Sequence, residues 1–221
     1  MIYLTNKCIY YGLIFLIVLQ SFIMDEKFLI AITGKSGVGK SVFSKELADT
    51  LNGELISFDK ISHLSLENDE IKSKIRVVFG DEVFEKNAIL RKKLGKIAFN
   101  DQNKLNFLNS ISQEFMENYI DNLIQTSKKH YIILEYALLT KMKYFNFSNY
   151  KILIYASKTS RFDRLKLRDN VSEDYLELRE NNLPDFDEKD FDEVIDNSSN
   201  LNLEKLAKTI ASNIKNADLK K

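Results

Sequence analysis

The chain has 221 residues and a formal net charge of zero, with 44% hydrophobic and 29% charged residues. This length fits one sizeable domain or a core with insertions, and the composition is ordinary for a globular enzyme. A neutral chain has no overall field that would attract nucleic acid or an anionic membrane, so any anion must be bound locally.

The first apolar segment, residues 9–23, precedes the first predicted strand. It is shorter than the ~20 residues that a membrane-spanning helix needs, and no small-residue cleavage site follows it. We interpret residues 1–23 as a hydrophobic extension and Met24 as the functional start, with a membrane anchor as the alternative. The domain is then expected over residues 24–221. The one cysteine, Cys8, excludes an internal disulfide and fits a cytoplasmic protein.

The most informative motif follows an apolar run of strand length at residues 28–33. Residues 34–41 match G-x-x-x-x-G-K-[ST], a phosphate-binding loop, and a helical pattern follows. The glycines allow a tight turn of inward N–H groups, Lys40 adds a charge for the β and γ oxygens, and the Ser41 hydroxyl can ligate Mg²⁺. The motif predicts an ATP and Mg²⁺ site formed by Gly34, Lys35, Ser36, Gly37, Val38, Gly39, Lys40, Ser41 and Val42.

The rest of the chain alternates apolar runs with helical patterns. Residues 54–58 are predicted as a second strand that ends at Asp59, and residues 60–128 are mostly helical. Further strands are predicted at 131–134, 151–155 and 193–196. This order predicts an α/β fold, a parallel five-stranded sheet flanked by helices with a helical insertion at about 60–128. Polar residues at the carboxyl ends of the strands are then the candidate site: the loop, Asp59, Glu135 and Asn197.

Three arginines follow the fourth strand at i, i+3 and i+7, which places them on one face of a helix: Arg161, Arg164 and Arg168. Such a face suits a helical lid, expected at about 158–186, that closes over a triphosphate and neutralises charge in the transition state. The alternative is ordinary surface pairing with nearby carboxylates. We assign the lid role to Arg164 and Arg168, and surface pairing to Arg161.

Several segments resemble the dephospho-coenzyme A kinases, the P-loop enzymes of the last step of coenzyme A synthesis, over residues 28 to about 215. Residues 58–63 resemble the family's A-D-x-[IV]-x-H, residues 78–80 and 88–94 its F-G … G-x-[IL]-[DN]-R-x-x-L, and residues 192–197 its A-D-x-[VI]-I-D-N. Arg164, Arg168 and Arg179 resemble its lid. Where the family has D-[VI]-P-L-L-[FY]-E, this chain has Glu135 first, no proline, and Lys141 last.

The resemblance implies transfer of the ATP γ-phosphate to the 3′-hydroxyl of dephospho-coenzyme A. It implies that Asp59 is the base for that hydroxyl, with Lys40 and Arg164 as catalytic cations. Other expected contacts are acceptor binding by His63 and Arg91, a Mg²⁺-bound water held by Glu135, and recognition of the adenine edge by Asn197. The structural alternatives are a helix cap for Asp59, a solvated strand end for Glu135, a surface or packing role for His63, a basic turn for Arg91, and a turn residue for Asn197.

Other functions remain open at this stage. One alternative is a P-loop kinase that acts on another nucleoside, nucleotide or small molecule. A nucleotide-binding switch is disfavoured because the chain contains neither D-x-x-G nor N-K-x-D. A membrane-tethered regulator is motivated by residues 9–23 alone. The long helical stretch after Asp59, large enough to cover a pantetheine-bearing acceptor, favours the dephospho-coenzyme A kinase, with small molecules and no nucleic acid as partners.

Overall fold

A computed structural model describes residues 27–220 of the chain. The apolar segment 9–23 and the proposed start at Met24 therefore lie outside the described residues. Across residues 27–220, none of the helices combines the length and the apolar character that a membrane crossing requires.

Strands and helices alternate along the described chain. The strands are β1 (Phe28–Thr33), β2 (Glu54–Ser57), β3 (Phe84–Glu85), β4 (Ala88–Ile89), β5 (Tyr131–Glu135), β6 (Tyr150–Tyr155) and β7 (Glu193–Asp196). The helices are α1 (Lys40–Leu51), α2 (Phe58–Ser65), α3 (Asp69–Phe79), α4 (Arg91–Phe99), α5 (Gln102–Thr126), α6 (Lys143–Phe147), α7 (Lys158–Asp169), α8 (Glu173–Glu180) and α9 (Leu203–Asp218).

A parallel five-stranded sheet with the order β2-β5-β1-β6-β7 forms the centre of the fold. In the central strand, Ile30 lies beside Ile133 of β5 and Tyr150 of β6. A strand that is covered on both faces needs apolar side chains pointing both ways, and every residue of β1 is buried. The predicted α/β fold with a helix-flanked parallel sheet is confirmed.

Helices pack on both faces of this sheet. On one face, Ile30 packs with Phe43 of α1 and Ile210 of α9. On the other, Leu29 packs with Ile120 of α5 and with Phe58. The alternation of Leu29 and Ile30 between the two faces follows from the two-residue period of a strand. The two layers hold the carboxyl ends of the strands at one edge, where the candidate site residues lie.

The helical insertion has a small core of its own. Ile75 of α3, Leu94 of α4 and Leu105 of α5 pack together in it, away from the sheet. Helix α5 belongs to both cores, because Ile120 at its other end packs under the sheet. The prediction of a mostly helical stretch over 60–128 is confirmed except for the short antiparallel hairpin of β3 and β4.

The second strand ends earlier than predicted. It ends at Ser57, and α2 begins at Phe58, whose ring is fully buried and stacks on Tyr136 with the centroids 5.4 Å apart. Burying this ring turns the chain into the helix before Asp59 is reached. Asp59 therefore lies in the first turn of α2 instead of at a strand end. The capping alternative for Asp59 is also wrong, because Ser57 occupies the cap position.

We expect Ile30→Ala to lower the free energy of unfolding by about 2–5 kcal/mol, because the side chain is fully buried and the cavity left behind cannot collapse. Urea denaturation followed by circular dichroism measures this. The control, Val77→Ala on α3, removes a side chain that is 85% exposed and should change stability by about 0.5 kcal/mol or less. Equal effects of the two substitutions would contradict the assignment of β1 to the core.

Candidate active site

The phosphate loop connects β1 to α1 in a conformation that needs glycine at key positions. Gly34 has a φ of +141°, and a Cβ there would lie 2.0 Å from the carbonyl oxygen of Ile154. Gly37 has a φ of +83°, and its Cβ would lie 2.8 Å from the carbonyl oxygen of Arg161. A side chain is excluded at both positions by strain and by collision. The loop is thus pressed between the end of β6 and helix α7.

Side chains around the loop bind its carbonyl oxygens one after another. The hydrogen bonds run from Lys40 Nζ to Gly34 O (2.8 Å) and Lys35 O (3.1 Å), from Arg161 Nη1 to Ser36 O (3.4 Å), from Arg164 Nη1 to Gly37 O (3.1 Å) and from Asn197 Nδ2 to Val38 O (2.8 Å). The carbonyl of Gly39 accepts from the backbone N–H of Phe43 in α1. Each carbonyl from Gly34 to Gly39 therefore has a partner.

The backbone N–H groups of the same loop are free to bind a ligand. Those of residues 35–39 donate no hydrogen bond to any group within residues 27–220. Helix α1 begins at Lys40, so the positive end of its dipole adds to these N–H groups. Consecutive free amides at a helix N-terminus bind phosphate oxygens. The loop residues predicted to bind a polyphosphate, including Val42 in the first turn of α1, are brought together here.

Two charged side chains lie buried beside the loop. Lys40 is 7% exposed, and burial lowers its pKa although the charges of Glu135 and Asp59 oppose this effect. Glu135 is 2% exposed, and burial raises its pKa although the charge of Lys40 opposes it. The alternative of a solvated strand end is thus wrong for Glu135. The opposite charges of the two groups partly compensate each other at these buried positions.

Two serine hydroxyls donate to the Glu135 carboxylate. The Ser41 Oγ lies 3.3 Å from Oε1, and the Ser57 Oγ lies 3.1 Å from Oε2. Within the described chain there is no cluster of three or more His, Cys, Asp and Glu that could hold a metal alone. Mg²⁺ prefers oxygen ligands and keeps several waters and substrate phosphates, so one hydroxyl and one carboxylate fit its needs.

Asp59 stands unpaired at the opening of a cavity. Its exposed carboxylate forms no hydrogen bond or ion pair with the residues that the structure describes, yet its charge acts on Lys40 and Glu135. The cavity beside it has a volume of about 220 Å³ and is bordered by Ser36 of the loop and by Tyr136. Asp59 thus lies between the phosphate loop and the helical insertion.

His63 and Arg91 lie near Asp59. His63 is one turn further along α2, which puts both side chains on the same face of the helix. Burial and the charge of Arg91 lower the pKa of His63, while the charge of Asp59 opposes them. Arg91 is the first residue of α4. The structure therefore brings the predicted acceptor-binding residues together around the predicted base.

The prediction of surface pairing for Arg161 is wrong. Its side chain is buried and forms two hydrogen bonds of 2.7 and 2.8 Å with the Glu180 carboxylate of α8. Lys35 of the phosphate loop donates to the same carboxylate at 3.1 Å. Arg161 is buried because α7 lies directly against Gly37, where no side chain keeps the two apart. The Arg161–Glu180 pair therefore connects both lid helices, α7 and α8, to the phosphate loop.

The other two lid arginines differ from each other. Arg164 donates to the carbonyl oxygens of Gly37 at 3.1 Å and Asn197 at 2.6 Å, so it supports the loop from behind. Arg168 forms an exposed ion pair with Asp169. Its charge still acts on Lys40, so it lies on the side of α7 that faces the site.

The structure does not support recognition of an adenine edge by Asn197. Its side chain is buried, with Nδ2 bound to the Val38 carbonyl and Oδ1 accepting from the N–H of Leu201 at 2.8 Å. The amide is used at both ends to join the loop to the turn after β7. This geometry favours the predicted alternative, a turn residue.

Arg179 and Tyr136 also belong to the site, although the sequence motifs place Arg179 only in the lid and give Tyr136 no role. The Nη2 atom of Arg179 lies 3.4 Å from the Ser36 Oγ, and both side chains line the cavity beside Asp59. Arg179 lay within a motif match, which was the available signal. Tyr136 follows Glu135 in the chain, and only the packing shows that its ring forms a cavity wall.

The chain is similar to known proteins over most of its length. A family model described as dephospho-CoA kinase matches residues 28–203. A dephospho-CoA kinase of Dehalococcoides mccartyi is 32% identical over 155 residues, which cover 68% of this chain and 78% of the relative. One from Helicobacter pylori is 32% identical over 185 residues, which cover 80% of this chain and 92% of the relative.

Solved structures share the fold. A protein from Thermus thermophilus superimposes with a TM-score of 0.68 at 20% identity, over 86% of this chain and 98% of its own. A dephospho-CoA kinase from Campylobacter jejuni gives a TM-score of 0.52 at 22% identity, again over 86% of this chain and 98% of its own. These likenesses confirm the arrangement of the sheet and helices.

We expect Glu180→Gln to lower the free energy of unfolding by about 3 kcal/mol, because it leaves Arg161 buried without its counter-charge. Urea denaturation measures the loss. Glu177→Gln on the same helix breaks an exposed pair with Lys158 and should cost about 1 kcal/mol or less. A similar small loss for both variants would show that the Arg161 pair is not buried in solution.

The same pair predicts a pH dependence. Burial by itself raises the pKa of Glu180, but hydrogen bonds from Arg161 and Lys35 outweigh it and hold the pKa below its usual 4.5. A carboxylate with a lowered pKa stabilises the fold above its unfolded pKa, and the contribution disappears as the pH falls through the folded value. The stability difference between the unaltered protein and Glu180→Gln should therefore be largest above pH 4.5 and shrink below it.

Proposed function

The chain belongs to the dephospho-CoA kinase family, and we propose that Asp59 is the base with which it phosphorylates the 3′-hydroxyl of dephospho-coenzyme A. The observation that carries this assignment is the position of the Asp59 carboxylate. It has no partner among the described residues, and it stands between a loop of free amides and a cavity that opens into the insertion. A base must lie beside the phosphoryl donor and reach the acceptor hydroxyl, and this position meets both needs.

The residues of the loop bind and orient the donor. The free amides of residues 35–39 and the Lys40 ammonium hold the β- and γ-phosphate oxygens of ATP. Asp59 accepts the proton of the acceptor's 3′-hydroxyl, and the oxygen of that hydroxyl attacks the γ-phosphorus of ATP. The bond from that phosphorus to the β–γ bridging oxygen breaks, and ADP leaves with the electron pair. Arg168 stabilises the charge on the transferring group from the side of α7.

We propose Mg²⁺ as the cofactor, with the Ser41 hydroxyl as a ligand and Glu135 holding a metal-bound water. The buried carboxylate and its two serine partners supply the oxygen donors that the ion prefers. When bound, Mg²⁺ neutralises charge on the β and γ oxygens. Glu135 also orients the Ser41 hydroxyl by accepting its hydrogen bond at 3.3 Å.

The acceptor enters from the side of the insertion in this proposal. His63 and Arg91 lie around Asp59 on that side, and Arg179 borders the same cavity. Cations at this position bind the phosphates of the acceptor, and the neutral His63 ring serves as a hydrogen-bonding partner. Lid helix α8, tied to the loop through Arg161 and Glu180, borders the same cavity and packs on α4 of the insertion, where Tyr175 contacts Phe99.

Steady-state turnover with ATP and a panel of acceptors tests the function. We expect dephospho-coenzyme A to be preferred over adenosine and nucleoside monophosphates, and turnover to fall to background when EDTA removes Mg²⁺. The activity should fractionate with the cytoplasm of the source cell. A preference of about tenfold or more for another acceptor, ~1.4 kcal/mol of discrimination, would instead identify a different small-molecule kinase.

We expect Asp59→Asn to lower kcat by about 100-fold or more, the usual consequence of losing a general base. The affinity for ATP should change little, because the loop amides and Lys40 remain; fluorescent nucleotide titration measures this. Asp69→Asn, in the first turn of α3 and paired only with Lys72, is the matched control and should keep full turnover. Unchanged turnover in Asp59→Asn would exclude Asp59 as the base.

A further inference from the structure

A second cavity of about 220 Å³ adjoins the one beside Asp59. The two share a wall, which consists of Leu105, Leu108, Asn109, Tyr136, Leu138 and Asn182. The second cavity extends from this wall between α5 and the segment after β5, where Lys141 and Met142 border it. A molecule that reaches Asp59 through the first cavity therefore has a continuation available, away from the phosphate loop.

Three polar groups on these walls have no partner within residues 27–220. They are the Tyr136 hydroxyl, the Asn109 side-chain amide and the Lys141 ammonium, none of which forms a hydrogen bond or ion pair there. The Tyr136 ring is held by its stack on Phe58, which aims the hydroxyl in one direction. Burial raises the pKa of Tyr136, so at neutral pH the hydroxyl is a donor as well as an acceptor.

The lining of the second cavity combines amide side chains with apolar ones. Along α5, the amide side chains of Asn106, Asn109 and Gln113 recur at i, i+3 and i+7 and so lie on one face of the helix. Apolar side chains, among them Met116 and Met142, lie between them. A lining of this kind suits a flexible ligand in which aliphatic segments alternate with amide groups, because both parts of such a ligand find a partner.

We propose that the second cavity binds the amide-containing arm of the acceptor, with the Asn109 amide and the Tyr136 hydroxyl hydrogen-bonding to it. The inference rests on the proposed function, since dephospho-coenzyme A carries such an arm on its diphosphate and adenosine 5′-monophosphate has none. With its ribose at Asp59, the acceptor passes the shared wall and places the arm along α5. Selection for the complete acceptor is then located at this wall and along α5, separate from the groups that transfer phosphate.

Filling the second cavity tests the proposal without altering the site around Asp59. Asn106 is exposed on α5 and lines only the second cavity, so Asn106→Trp should obstruct the arm and leave the fold intact. We expect the KM for dephospho-coenzyme A to rise by about 10-fold or more, the equivalent of ~1.4 kcal/mol. The inhibition constant of adenosine 5′-monophosphate, as a competitor of dephospho-coenzyme A at saturating ATP, should stay within about twofold. Asn122→Trp, also exposed on α5 but outside both cavities, is the matched control.

Tyr136→Phe removes the hydroxyl alone and keeps the stack on Phe58. Loss of one uncharged hydrogen bond should raise the KM for dephospho-coenzyme A by about 3- to 10-fold. The matched control, Tyr119→Phe, alters a hydroxyl on α5 that lines neither cavity and should leave KM unchanged. Thermal melts of all four variants confirm that they fold.

The outcomes separate this inference from the function on which it rests. If the unaltered chain does not phosphorylate dephospho-coenzyme A, the proposed function and the inference both fail. If it does, and Asn106→Trp leaves the KM unchanged, the inference alone is overturned. It is also overturned if Asn106→Trp weakens adenosine 5′-monophosphate as much as dephospho-coenzyme A, because the cavity would then bind the part that the two share.

Discussion

The geometry of this site depends on one constraint, the requirement that the phosphate loop keep its carbonyl oxygens away from the anion. A loop of glycines has no intrinsic preference between presenting N–H and C=O groups. Here each carbonyl oxygen accepts a hydrogen bond from Lys40 or from a group outside the loop. The backbone amides remain available to the ligand. The donors come from three different regions, α1, α7 and the turn after β7. The polarity of the loop is therefore a product of the whole tertiary structure.

The same contacts make the lid and the loop one unit. Arg161 reaches the Ser36 carbonyl and the Glu180 carboxylate together, and Lys35 shares that carboxylate. Burying these charges costs desolvation free energy, and this cost is offset only while all of them remain paired. Any movement of α8 away from the loop would separate Lys35 from Glu180. The position of the lid and the shape of the loop are consequently linked through a single carboxylate.

Local patterns in the sequence predicted the loop, strands and helices that depend on interactions between neighbouring residues. The loop motif, the unbroken apolar runs of β1 and β5, and the helical pattern after Asp59 all gave correct elements, because each depends on neighbouring residues. The role of Arg161 was wrong because its partner is 19 residues away on another helix, which no spacing rule connects. The adenine-binding role predicted for Asn197 failed for the same reason, because the carbonyl to which its side chain donates lies 159 residues earlier in the loop. The start of α2 was misplaced by the burial of Phe58 against Tyr136, a contact between distant segments.

The separate core of the insertion gives this protein two packed regions that share one helix, α5. Ile75, Leu94 and Leu105 stabilise the insertion without contributing to the sheet face that supports the loop. Helix α4 nevertheless reaches the site, because Gly95, Ala98 and Phe99 line the cavity beside Asp59. Because α5 packs in both cores, a displacement of this helix on the acceptor side is expected to shift the residues that it packs under the sheet as well.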